Sequence, residues 1–192
     1  SLVLDKILFI YFSSSFVIKS TKLRLYSKRS NRMKSKQEEF LKIISAYQGI
    51  IHKVNLIYFR SNVDKQDNFQ EIVYQLWRSF PSLKDKSKLA SWIYAVAINT
   101  SISKIRKDSR LVFTDDAPET PHTETLDNID RDNNYQKLLN ALQKFKEIDR
   151  SIMLLYLEDY SYNEIGEIIG ISSSNVGVRI NRAKKQLEKL LK

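Results

Sequence analysis

Between Tyr160 and Leu190 the sequence YSYNEIGEIIGISSSNVGVRINRAKKQLEKL leaves little choice but two short helices meeting at a glycine turn, the second of them basic. That arrangement is a helix-turn-helix, a device for presenting a helix to DNA. Ile165, Ile168 and Ile169 give the first helix one apolar face. The small Gly166 allows close helix approach, Gly170 supplies a backbone that tolerates positive φ, and Ile171 restarts the core. The second helix keeps Val176, Ile180, Ala183, Leu187 and Leu190 or Leu191 inward and leaves Asn175, Arg179, Asn181, Arg182, Lys184 and Lys185 for solvent or a polyanion. The run Ser172, Ser173, Ser174 can cap it, and such an amide-rich N-terminus is where recognition helices meet phosphates and base edges. The plainer reading is an amphipathic hairpin with a solvated basic face.

Pro and Gly are scarce in the 192 residues, so long helices are the default, and neither an Asn-Gly hairpin signal nor an internal repeat interrupts that expectation. A formal charge of +10 favours acidic partners such as nucleic acid or an anionic membrane, without choosing between them. The chain has no cysteine, which removes disulfides, thiolate chemistry and Cys-ligated zinc and is compatible with a reducing cytoplasm. His52 and His122 stand apart with no ligand pattern, so neither a metal site, a cofactor nor a His-based catalytic machine is expected.

The segment Leu2 to Ile18 is apolar and is followed by Lys19, Lys22, Arg24, Lys28, Arg29 and Arg32. A bilayer-crossing helix wants about 20 apolar residues, whereas Asp5, Lys6 and Ser13 to Ser15 break this run. The charge follows the apolar run and no small-residue cleavage site appears, so a secretory signal is also disfavoured. Residues 1–32 therefore read as a non-native leader or disordered tail, with a clean amphipathic helix opening at Met33. Setting them aside removes seven bases and one acid and lowers the net charge from +10 to +4, which weakens overall basicity as an argument for DNA.

From Met33 two helical blocks flank an acidic spacer. Phe40, Ile43, Ile44, Tyr47, Ile50, Ile51, Val54 and Ile57 recur at helical spacing, as do Phe69, Ile72, Val73, Leu76, Trp77 and Phe80 up to Pro81. Leu89, Trp92, Ile93, Val96, Ala97 and Thr100 form a third stripe ahead of the basic end Lys104, Arg106, Lys107 and Arg110. Residues 111–134 hold Pro118, Pro121 and seven acids, a composition that resists packing and predicts a flexible linker. Helical order resumes near Tyr135 with Leu138, Leu139, Leu142 and Phe145, then Ile152, Leu155 and Tyr156, leading into the helix-turn-helix. The expected fold is all-α: a three-to-four-helix bundle over 33–110 and a helix-turn-helix unit over 135–192.

Both blocks resemble the extracytoplasmic-function group of the sigma-70 family, the minimal bacterial RNA polymerase sigma factors that keep only regions 2 and 4. DNFQEIVYQLWRSFPSLKDKSKLASWIYAVAINTSISKIRK looks like region 2, whose usual form runs through Q-E-V-F-x-x-x-W, F-R-G-x-S and T-W-L-Y-x-I-A-x-N, and Tyr135 to Leu191 looks like region 4. The resemblance spans Gln37 to Lys192, and both blocks in order around an acidic linker are far more specific than a lone helix-turn-helix.

What the resemblance implies is a division of labour. Asp67, Gln70 and Glu71 would bind core polymerase at the clamp helices of its largest subunit. Lys84, Lys86 and Ser87 in the loop, with Asn99 and Arg106 on the next helix, would handle the minus-10 element, where the Asn99 amide can both donate to and accept from a base edge. Trp92 and Tyr94 invite a stacking role on unpaired bases, although Trp92 falls on the apolar stripe and is better read as core. Ser173, Ser174, Asn175, Arg179 and Arg182 would contact the minus-35 duplex. Two departures stand out: Gly177 follows Val176 where many members have Arg or Lys, and Leu83-Lys84-Asp85-Lys86-Ser87 lacks the usual loop glycine.

The implied function is promoter recognition and melting by a cytoplasmic sigma factor that is not an enzyme and acts through binding energy alone. Its partners would be core RNA polymerase, promoter DNA and an anti-sigma factor, with no small-molecule substrate and no stable membrane insertion. The alternative is a polymerase-independent helix-turn-helix transcription regulator, which leaves the likeness of Asp67 to Arg110 to region 2 unexplained. A recombinase-like enzyme would need an acid cluster or an activated Ser or Tyr, and the acids outside the linker form no such constellation.

Overall fold

A computed structural model describes residues 21–112 and 131–191, with the backbone alone at 21–34, 111–112 and 131–133. The described residues are helical with no strand. They comprise α1 (Thr21–Tyr58), α2 (Asn62–Ser79), α3 (Leu89–Val112), α4 (Arg131–Gln143), α5 (Glu147–Leu157), α6 (Tyr162–Ile169) and α7 (Ser173–Leu191). Short 3-10 turns at Phe80–Ser82 and Lys86–Lys88 join α2 to α3. Most of the leader expected over 1–32 and of the linker expected over 111–134 lies outside the described residues. Two differences are nonetheless visible. The first helix does not open at Met33 but runs from Thr21, and helix occupies both ends of the linker span, as far as Val112 and again from Arg131.

The chain divides into two compact units, Ser1–Lys42 and Ile43–Lys192. The described part of the first is helix throughout. In the second, α2 begins at Ser61, whose hydroxyl accepts from the Asp64 amide at 3.3 Å, and its α-helical turns end at Ser79 as Pro81, with no N–H to give, enters the 3-10 turn. The apolar periodicity of α1 and α2 is realised as predicted, with Ile51, Val54, Ile57, Ile72, Leu76 and Phe80 all buried. Against α2 packs α3, but its buried face is Ile93, Tyr94, Ala97, Ile98 and Ser101, while Trp92 and Val96 are only half-buried.

The rotation of that face makes room for a polar knot at the centre. Asn68 is fully buried, and its amide donates to Asn55 Oδ1 at 2.7 Å and to the Ser101 hydroxyl at 2.8 Å. Asn55 in turn donates to the Lys65 carbonyl at 3.1 Å, and Ser101 to the Ala97 carbonyl at 2.8 Å. One buried network thus fixes the register of α1, α2 and α3 at a single level, because each member would be orphaned by a shift.

In the C-terminal block α5 is the hub, buried at five successive positions from Ser151 to Leu155, as a helix surrounded by neighbours must be. α4, α6 and α7 all pack on it. Arg150 ties the α4 end to α5 by donating to the carbonyls of Gln143 (2.6 Å) and Phe145 (2.8 Å), which the end of α4 leaves without helical partners. The two blocks dock on each other. Gln143 donates to the Leu56 carbonyl at 3.0 Å, Lys53 pairs with Glu158 at 2.6 Å, and Tyr94 meets the Tyr160 ring edge-on at 5.5 Å.

Candidate nucleic-acid interface

The helix-turn-helix is built as its sequence predicts. Ser161 and Glu164 form a capping box that starts α6, and the hydrogen bonds from Ser161 hold the Glu164 carboxyl below the usual carboxylate range. Gly170 closes the helix at φ 81°, and its amide bonds to the Gly166 carbonyl at 2.8 Å. A Cβ on Gly166 would lie 2.6 Å from the Ile171 carbonyl oxygen, so the turn folds back over a position only glycine fits. Ser172 is the residue whose hydroxyl caps α7, accepting from the Asn175 amide at 3.3 Å.

On α7, Val176, Ile180 and Ala183 are buried, so the opposite ridge carries Ser174, Asn175, Val178, Asn181, Arg182 and Lys185 outward. Of the residues expected at a duplex, Ser174, Asn175 and Arg182 lie on this ridge and Ser173 beside it at the helix start, half-buried. Arg179 does not point freely outward. Its guanidinium donates to Asp149 at 2.6 Å and to Asn175 Oδ1 at 3.2 Å, which anchors the recognition helix to α5. Lys184, expected toward solvent, instead donates to the Tyr156 hydroxyl at 2.7 Å and sits over that ring, which raises its pKa. At Gly177 a Cβ would make only an ordinary van der Waals contact with the Tyr162 ring at 3.4 Å, so packing does not require glycine there.

The second group spans the loop before α3 and the exposed ridge of α3 itself. Lys84, Lys86 and Ser87 are exposed in the loop before α3. Asp85 organises that loop where the family pattern has glycine, accepting from the Ser87 amide at 2.9 Å and the Ser87 hydroxyl at 2.7 Å. The same bonds hold the Asp85 carboxyl below its ordinary range. Asn99 and Arg106 are exposed on α3 and share a ridge with Ser103 and Arg110. At 1.5 Å per residue, Asn99 lies about 15 Å and Arg106 about 26 Å from the start of α3, so these five residues form a track rather than a pocket. Tyr94 does not belong to it. Its ring is 2% exposed, and burial pushes the phenol pKa up, so it is core and not a platform for bases. Trp92 lies against Phe80 with centroids 6.4 Å apart but is only half-buried, so it borders the core rather than lying in it as expected.

Asp67, Gln70 and Glu71 form a third exposed ridge, on α2 opposite Ile72 and Leu76. Sequence reasoning missed the apolar members of this ridge, Val63 (67% exposed) and Tyr74 (37%). The spacing 63, 67, 70, 74 was the available signal. Among the described residues no group of acids, histidines or cysteines could hold a metal, and no helix is long and apolar enough to cross a membrane.

Residues 43–111 match the family described as Sigma-70 region 2, and residues 135–187 match Sigma-70, region 4. The chain is 26% identical to the ECF RNA polymerase sigma factor SigW of Bacillus subtilis (strain 168), over 83% of this chain and 92% of that protein. It is 28% identical to the RNA polymerase sigma factor YlaC of the same strain, over 65% of this chain and 75% of that one. Its fold is that of the sigma factor RpoE in complex with the anti-sigma factor NepR from Bartonella quintana, with TM-score 0.61, 22% identity, and 82% of this chain and 97% of that chain covered. CnrH in complex with the cytosolic domain of CnrY superposes with TM-score 0.58 at 17% identity, over 81% and 88% of the two chains.

Proposed function

The chain belongs to the sigma-70 family of RNA polymerase sigma factors, in its extracytoplasmic-function group, and from that membership we propose how its surfaces divide the work of initiation. The α2 ridge of Asp67, Gln70 and Glu71 binds core polymerase. The track of Lys84, Lys86, Ser87, Asn99 and Arg106 takes the minus-10 element as it opens, with the strand's backbone supplying phosphates and its unpaired bases supplying edges. The α7 ridge of Ser174, Asn175 and Arg182, with Ser173 at its start, docks in the major groove of the minus-35 duplex, while Arg179 braces Asn175 from behind.

The observation that carries this reading is that both family regions occur in order in one chain, each presenting an exposed polar ridge opposite its buried face. A helix-turn-helix regulator that ignores polymerase needs only the second. The work is done by binding: contacts available only to the opened strand pull the promoter toward the open state, with no bond made or broken. We place the protein in the cytoplasm with the polymerase, and we extend to it an anti-sigma partner, since the solved sigma factor RpoE compared above was captured with one.

The test is core binding by the full chain against a variant carrying Asp67→Ala, Gln70→Ala and Glu71→Ala. Loss of core affinity with unchanged melting supports the assignment of the α2 ridge. Equal affinity of the two proteins for core refutes it.

A further inference from the structure

The α7 ridge has one apolar member. Val178 is 49% exposed at its midpoint, with Asn175 and Ser174 a turn before it and Asn181, Arg182 and Lys185 after it. A β-branched residue costs a helix some stability and gains nothing from facing water. Its surroundings keep it uncovered. Position 177 is glycine, so no long side chain folds over it from that side, and the neighbouring Arg179 is drawn away to Asp149 and Asn175.

We propose that Val178 is a specificity-determining residue that reads the C5-methyl group of one thymine in the minus-35 duplex. The inference rests on the assignment of α7 to that duplex and adds to it the chemistry of one base position. In the major groove the thymine methyl is the apolar feature among hydrogen-bonding edges, and short apolar side chains are what contact it. A protein partner is the less favoured occupant. Protein hot spots are built from clustered aromatic or arginine anchors in dry pockets, whereas a single valine ringed by Asn, Arg and Lys offers an area suited to a methyl group. The tied Arg179 fits the same account: it orients the Asn175 amide by accepting nothing and donating to its oxygen, leaving the amide N–H groups toward the groove.

The test uses holoenzyme, core polymerase plus this chain, on duplex promoters taken from start sites mapped with genomic DNA. Each thymine of the upstream element is replaced in turn by deoxyuridine, which removes only the methyl group, and binding is compared for wild type and Val178→Ala. At one position, wild type should lose roughly fourfold in affinity, the value of one buried methyl group, and Val178→Ala should be indifferent to the replacement. Alanine is the better helix former, so the variant folds. Deoxyuridine effects of equal size in both proteins overturn the role of Val178 while leaving the duplex assignment intact. A variant that loses core or anti-sigma binding but keeps its methyl sensitivity overturns it in favour of a protein-facing valine. Insensitivity of holoenzyme binding to the whole upstream element would remove the duplex assignment itself, and the proposal with it.

Discussion

The Tyr58 hydroxyl, at the end of α1, donates to the Glu147 carbonyl at the start of α5 across 2.9 Å and shares a further hydrogen bond with Ser151. A residue of the region 2 block thereby shares, with the Ser151 hydroxyl, a backbone oxygen of the region 4 block. The phenol is buried, which pushes its pKa up to about 12, and the Arg150 guanidinium sits over its ring at 5.2 Å. Removing the hydroxyl in Tyr58→Phe should cost about 1 kcal/mol, the worth of a buried hydrogen bond whose acceptor keeps the Ser151 hydroxyl at 2.8 Å. Chemical denaturation measures this directly. A loss below a few tenths of a kcal/mol would show that the contact is absent in solution.

The same phenol predicts alkaline behaviour. Its folded pKa lies above the unfolded value of 10.0, so the folded state holds the proton longer. The contribution is whole below about pH 10 and declines as pH rises toward 12. Stability should therefore fall over that window in wild type and fall less in Tyr58→Phe, as read from melting temperatures at stepped pH.

Asn68→Ala should be the most damaging of the polar substitutions. It strands Asn55 Oδ1 and leaves a cavity beside Ser101, at about 2–4 kcal/mol together. Exposed Asp67, one residue away, should tolerate alanine within about 0.5 kcal/mol. Comparable losses from both would contradict the buried network.

Gly166→Ala should destabilise the helix-turn-helix by about 1–3 kcal/mol, because the added methyl meets a backbone carbonyl that cannot rotate aside. Hydrogen exchange should quicken across α6 and α7 and leave α2 unchanged.

Asp149→Asn should leave stability within about 1 kcal/mol, since the ion pair is about one-third exposed on each side. It releases Arg179, however, and the salt dependence of duplex binding should steepen by about one unit as one more cation reaches phosphate. An unchanged slope would mean that Arg179 already contacts DNA.

The sequence made the helix-turn-helix legible because its signals are local: a glycine suited to positive φ, a serine run able to cap the second helix, and an apolar face on each short helix. The apolar stripes of α1 and α2 were legible for the same reason. The inward face of α3 was displaced because Ser101, polar in the sequence, is drawn inside by Asn68, 33 positions earlier. Tyr94 is buried next to Tyr160 in the other block, a contact no spacing rule encodes. The candidate interface shows the same limit. Arg179 and Lys184 look free on a helical wheel, and only the placement of Asp149 and Tyr156 on α5 reveals that both are engaged.

Transcription from genomic DNA by core polymerase with and without this chain, followed by mapping of RNA 5′ ends, tests the central claim most directly. The account predicts new discrete start sites preceded by a shared two-part element, lost when Asn99 or Arg182 is replaced by alanine. Folded protein, free of inhibitor, that neither binds core nor yields new starts would contradict it.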